Sequence, residues 1–267
     1  MTGRLAVRKT YKLWIGGAFV RSESGRYDEA HGFNFPRASR TDVRDAVAAA
    51  RRAAGPWAAR TAYNRGQILY RAAEALESRG AGIGVSRAER EAAVDVLLHY
   101  AGWTDKLAPV LGGVNPVAAP FLSFSLPEPT GVVAVLAPPG SSLLGLVSVL
   151  APVIATGNTA VVVASEQRPL PAVTLTEVLA TSDVPGGVVN LLTGLTADLA
   201  PVLAAHRDVD AIDLTGAAPA DRAELERLAA GSVKRVLIAD ADWAAPPSPQ
   251  RMLSFLETKT VWHPVGL

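Results

Sequence analysis

From Gly131 onward the chain alternates between two textures, and this alternation limits its fold more than any other feature. Short, nearly unbroken Val/Ile/Leu runs ("GVVAVL", "TAVVV", "GVVNLL", "VDAIDL", "KRVLI") are separated by helical segments at 143–155, 170–180, 199–204 and 220–228. A strand with one wet face alternates apolar with polar residues, whereas a strand covered on both faces does not. The pattern therefore predicts an α/β fold: a doubly wound, five-stranded parallel sheet with helices on both faces. Sites in such folds lie beyond the carboxyl ends of the strands. The turn Pro138 to Ser142, the pair Ser165-Glu166, Gly194 and the pair Thr215-Gly216 all fall there.

The first hundred residues read as a cover for that sheet. "KLWIGGAFVRS" (12–22) predicts two short strands about a Gly16-Gly17 turn. Ser39 and Asp42 form a capping box before a helix carrying Val43, Ala46, Val47 and Ala50 on one face; Pro56 and Trp57 mark its end. A second helix presents Ile68, Leu69, Ala72 and Leu76, closed by Gly80. A third starts near Ser86 with Glu89 as its capping partner and runs toward Trp103 and Leu107. "GGVNPVAAPFLSFSLPEP" then reads as a projecting hairpin, because its prolines suit sheet edges. After Ile238 a Pro-rich linker leads to "TKTVW", a terminal strand that needs a partner sheet in this chain or another.

Composition narrows the function classes. Net charge is +1, so nothing argues for nucleic acid or an anionic membrane as partner. The longest apolar run, Leu143 to Ile154, is broken by Gly145, Ser148 and Pro152, and a cytoplasmic location is the default expectation. The 267 residues contain no cysteine, which removes disulfides, thiolate metal sites and thiol nucleophiles together. His31, His99, His206 and His263 lack metal-ligand spacing, so no metal site is expected. Trp57 and Trp103 read as core. Arg51-Arg52, Arg87 to Glu91 and Lys234-Arg235 read as solvated faces.

In order along the chain, "HYAGWTDKL", "PTGVVAVLAP", "TGNTAVVVASEQRPL", "PGGVVNLLTG", "HRDVDAIDLTGA" and "FLETKTVW" resemble the aldehyde dehydrogenase superfamily. The resemblance implies the family's Rossmann-like cofactor domain plus the hairpin and terminal strand with which subunits join. It divides the chain into an N-terminal hairpin and helices (1–111), the projecting oligomerisation hairpin (112–130), the parallel α/β unit (131–238), a linker (239–250) standing where the family has its catalytic domain, and a C-terminal oligomerisation strand (251–267). The assembly residues it implies are Phe121, Phe124, Lys259, Val261 and Trp262.

The same resemblance exposes what is missing. The family attacks an aldehyde with a thiolate, and this chain holds none. Its Trp-Asn pair, whose amide holds the oxyanion, is replaced by Pro139 and Gly140 in "LAPPGSSLL"; its general-base Glu aligns with Ala239. The catalytic set is therefore empty. For cofactor, the family's ribose-binding Lys is Val163, while Glu166, Gly194, Thr215 and Gly216 remain as a vestigial set for NAD or NADP. Asp221 would repel a pyrophosphate at the helix start, so no cofactor is the expectation. Loss of the catalytic domain would uncover apolar faces that favour a partner. The implied role is a pseudoenzyme subunit joined to a full-length aldehyde dehydrogenase, or to itself. The alternative is a nucleotide-binding or residual oxidoreductase protein.

Overall fold

In a computed structural model, residues 7–239 and 242–266 are described. Five strands are β7 (Val132–Leu136), β8 (Thr159–Val163), β9 (Val189–Leu192), β10 (Ala211–Asp213) and β11 (Arg235–Leu237). They pair in parallel in the order β11-β10-β7-β8-β9, with registers such as Val133↔Ala160 and Ala211↔Val133. All fourteen residues of β7, β8 and β9 are buried, as their unbroken apolar runs require. The N-terminal hairpin, β1 (Leu13–Ile15) and β2 (Ala18–Val20), adds to β9 through Trp14↔Leu191, so the sheet has seven strands and is mixed. A second hairpin, β3 (Tyr27–Ala30) with β4 (Phe33–Pro36), has too few apolar residues at period two to be seen in the sequence.

Helices cover both faces. α1 (Arg40–Ala58) carries the expected capping box: Ser39 accepts from Thr41 and Asp42 N–H, and Asp42 accepts from Ser39 N–H at 2.8 Å. It continues through Pro56 and Trp57 to Ala58, further than its proline suggested. Trp57 is 1 % exposed and donates from Nε1 to Ile154 O at 3.0 Å. α2 (Ala62–Ser78) and α3 (Arg87–Trp103) pack on each other and on α5 (Leu144–Ala155), with Leu76, Tyr100 and Leu146 in their common core. α6 (Pro169–Ala180) lies on this side. α1, α7 (Thr196–Ala205) and α8 (Pro219–Ala230) build the opposite core with Val47, Leu203 and Leu225.

A three-stranded antiparallel sheet stands apart from the body. α4 (Leu107–Leu111) leads into β5 (Gly113–Asn115), then β6 (Phe121–Pro129). The chain's last strand, β12 (Leu256–Pro264), follows α9 (Gln250–Leu253) and pairs along all nine residues with β6. The terminal strand thus finds its partner within its own chain. Thr130 N–H donates to Phe255 O, and Val265 N–H to Pro120 O. In an antiparallel ladder hydrogen-bonded pairs recur every second residue. Pro127 and Pro129 therefore fall in the intervening pairs, where a missing N–H costs the ladder nothing.

Two of the arginines read as solvated faces are exposed, as expected, and also tie elements together. Arg51 reaches from α1 to Asp210 Oδ2 (2.7 Å) and Asp208 O (2.6 Å). Arg235 holds Glu257 of β12 at 2.5 and 2.6 Å, joining the large sheet to the small one, and neighbouring Lys234 is 8 % exposed. Arg52 is exposed, and the Arg87–Glu91 pair is an exposed pair at 2.6 Å, as expected.

Candidate functional site

The turn after β7 is held by backbone and hydroxyl groups. Ser165 Oγ donates to Pro139 O at 3.0 Å, and Ser141 Oγ accepts from Gly145 N–H at 2.8 Å. α5 begins at Leu144 with no side-chain cap of its own. Its first N–H groups donate elsewhere: Leu143 and Leu144 reach Glu89 Oε1 at 3.0 and 3.4 Å. Glu89 was expected to cap its own helix. Ser86 does accept from Glu89 N–H, but the Glu89 carboxylate crosses to α5, where a negative charge meets the positive end of the helix dipole. The turn offers serine hydroxyls and no base, so it contains no activated nucleophile.

The expected cofactor residues do lie at the carboxyl ends of the strands, each already engaged. Glu166 accepts from Thr196 N–H and so caps α7. Gly194, at φ +137°, is pressed against the backbone of Arg37 and Ala38. At Gly216 a Cβ would collide with the carbonyl oxygens of Leu136 and Ala137; only glycine lets this turn close on β7. Thr215 Oγ1 accepts from Arg251 at 3.2 and 3.3 Å. Val163 is buried. α8 starts with Pro219 in its first turn, which lacks an N–H, and Asp221 adds a negative charge there. Glu166 thus already accepts one backbone N–H, and the start of α8 carries an acid and lacks the Pro219 N–H.

The segment after Ile238 explains Arg251. Trp243 lies against Gly145 at the start of α5, and the Arg251 guanidinium stands over its ring at 5.6 Å. Tyr100 donates to Ser248 O at 3.1 Å, and burial pushes its hydroxyl up to about 12. Met252 is 1 % exposed. Arg251 Nη1 then pairs with Asp213 Oδ2 at 2.9 Å, where Asp213 is wholly buried. Burial holds the Asp213 carboxyl above the ordinary range, against the opposing pull of Arg251 and Thr215. The large exposed apolar side chains cluster mainly elsewhere, because Trp243, Met252 and Phe255 turn back onto the body.

The five expected assembly residues meet on the small sheet. Phe124 pairs with Val261, and Lys259 Nζ bonds Glu128 at 2.9 Å. Phe121 meets Trp262 edge-on, centroids 6.0 Å apart. Register places Val114, Leu122, Phe124, Leu126 and Val261 on one face, and Phe121 and Trp262 on the other. β12 is an outer strand with its far edge unpaired among the described residues. Among those residues no cluster of His, Asp or Glu could hold a metal, and no helix is long and apolar enough to cross a membrane.

Asp213 and Arg251 were missed in the sequence. Asp213 sits inside the strand run "VDAIDL", where an acid buried on both sides is a signal, but its cation lies 38 residues on and nothing in the sequence connects them.

The profile of the aldehyde dehydrogenase family matches residues 24–239. An aldehyde dehydrogenase of Alternaria alternata is 31 % identical over 247 residues, covering 85 % of this chain and 49 % of its own length. Among solved structures, the NAD+ complex of an aldehyde dehydrogenase from Bacillus cereus superposes with TM-score 0.79 at 26 % identity, over 86 % of this chain and 50 % of that one. HpcC from Thermus thermophilus gives TM-score 0.80 at 26 % identity, over 87 % and 48 %. The chain spans about half the length of the relatives it matches.

Proposed function

The chain belongs to the aldehyde dehydrogenase family, and from that premise we propose that it is a non-catalytic subunit, which assembles with a full-length, NAD(P)-dependent aldehyde dehydrogenase and stabilises or scaffolds it. One observation carries the reading: the nine-residue strand β12 is fully formed, braced by β6 and by Arg235, and has an outer edge unpaired among the described residues, in a chain whose 267 residues contain no cysteine. A pleated strand with unpaired N–H and C=O groups adds readily to another sheet. The apolar stripe Val114, Leu122 and Leu126, 73, 44 and 40 % exposed, gives the same sheet a face to bury.

Loss of chemistry supports the reading from the other side. The positions where the resemblance expects an oxyanion amide and a base hold Gly140 and Ala239, and Glu89 occupies the start of α5. The bonded states of Glu166 and Thr215 favour a chain that has given up dinucleotide binding as well. The NAD+ in the Bacillus cereus relative motivates the rival reading, a nucleotide-binding protein. The test is co-expression with a full-length aldehyde dehydrogenase from the same cell. Co-purification at constant ratio, with no response to NAD or NADP in calorimetry of the chain alone, is the expected result. A chain that ignores the enzyme yet binds NAD sinks the proposal.

A further inference from the structure

At the amino end of β9, opposite the strand ends described above, a cavity of about 320 Å³ opens between α1, the Gly16-Gly17 turn and the loop that leads into β9. Its lining includes two guanidiniums, Arg52 and Arg60, and the apolar Pro56, Trp57 and Pro185. No carboxylate lines it. The wall is fixed by close backbone approach. A Cβ on Gly186 would stand 2.6 Å from Gly16 O, and one on Gly187 would stand 2.7 Å from Ala49 O. Turn, loop and helix therefore hold one spacing, and the cavity is formed before any ligand arrives.

Both cations are uncommitted. Among the described residues Arg52 has no ion pair and no side-chain hydrogen bond. Arg60 meets only neutral groups, Asn64 Oδ1 at 2.6 Å and the Trp57 ring at 6.0 Å. Asp183, two residues before Pro185, is taken by Arg71 at 3.3 Å. Nor does either arginine serve the end of α1, whose last turn holds no basic residue. That task falls to the buried Arg65, which donates to Ala58 O and Arg60 O at 3.3 and 2.6 Å. Arg65 thus covers the negative end of the helix dipole, which would otherwise repel an anion here.

Guanidiniums recognise carboxylate and phosphate through paired N–H donors. The volume matches about ten waters' share of the liquid, more than a bare inorganic oxyanion fills. The apolar lining rewards contact with the rest of an organic molecule. We infer that this cavity binds a small organic oxyanion, a carboxylate or phosphate monoester with a compact apolar body. Arg52 and Arg60 take the head, and Pro56, Trp57 and Pro185 take the body. The cavity is separate from the small sheet, so it stands whether or not the chain assembles with an enzyme.

The test titrates the intact chain with benzoate, phenyl phosphate, inorganic phosphate and benzyl alcohol. NMR follows the indole N–H of Trp57 and the amides of Ala53 and Gly186. Benzoate or phenyl phosphate should shift all three along one saturable curve, and the tighter of the two identifies the head group. Arg52→Gln and Arg60→Gln, both at exposed residues, should each weaken that binding about tenfold or more, because charge-assisted bonds are lost. Arg44→Gln removes the same charge from an exposed position elsewhere on α1 and should leave binding unchanged. Inorganic phosphate should bind about tenfold more weakly than phenyl phosphate, for want of an apolar body. Benzyl alcohol or inorganic phosphate binding as tightly as the aromatic anions overturns the ligand class. No shift from either aromatic anion up to about 10 mM, or equal losses in all three variants, overturns the site.

Discussion

Replacing Arg251 by Met tests whether the segment after Ile238 is a built part of this protein. The side chain is 14 % exposed and meets a carboxylate with no exposure at 2.9 Å. Removing it leaves Asp213 with Thr215 N–H at 2.9 Å as its remaining partner. Stranding one member of a buried pair costs about 3–5 kcal/mol. For a chain of this size each kcal/mol lowers Tm by about 2–4 °C, so the melting point should fall by roughly 6–20 °C. The pH dependence has a definite sign. Asp213 titrates above its unfolded value because of burial, so the folded state loses stability as pH rises from the ordinary carboxylate range through the raised folded pKa. Losing Arg251 raises that pKa further, and the deficit of the variant should be large at neutral pH and shrink as acid protonates Asp213. The assay is thermal unfolding of wild type and R251M across this range. Adding Asp213→Asn to R251M should recover most of the loss, because no charge is then stranded. A variant melting with the wild type at neutral pH would refute the reasoning.

Three further outcomes follow from the same geometry. Glu89→Ala removes the acceptor at the start of α5 and should cost about 1–2 kcal/mol in chemical denaturation, most of it recovered by Gln. Gly216→Ala drives a methyl into the Leu136 and Ala137 carbonyls and should destabilise by more than about 1 kcal/mol, or shift the turn in a crystal structure. In ultraviolet titration Tyr100 should ionise near pH 12, and this step should vanish in Tyr100→Phe.

The body of the fold was legible because its physics is local. Runs such as "TAVVV" can only be strands buried on both faces, and the Ser39/Asp42 box announces its helix from four residues. What escaped was long-range pairing. The Glu89 side chain reads as a local cap, yet it serves a helix beginning 55 residues later. Arg51 and Arg235 are exposed as their sequence suggests, but only the fold sets Asp210 and Glu257 beside them. The short β3–β4 hairpin and α9 carry too few residues for periodicity to register. At the site, the sequence located the strand ends and the absent thiol. It could not show that Glu166 is already bonded to Thr196, or that Trp243 and Arg251 fold over the turn.

Native mass spectrometry of the chain isolated from its own cells, with aldehyde turnover measured on the same fractions, tests the central claim most directly. The account predicts that the chain appears in assemblies with a polypeptide about twice its length, that turnover follows that polypeptide, and that fractions of the chain without it are inert. Oxidation of aldehyde with a nicotinamide acceptor by fractions containing this chain and no other would contradict it.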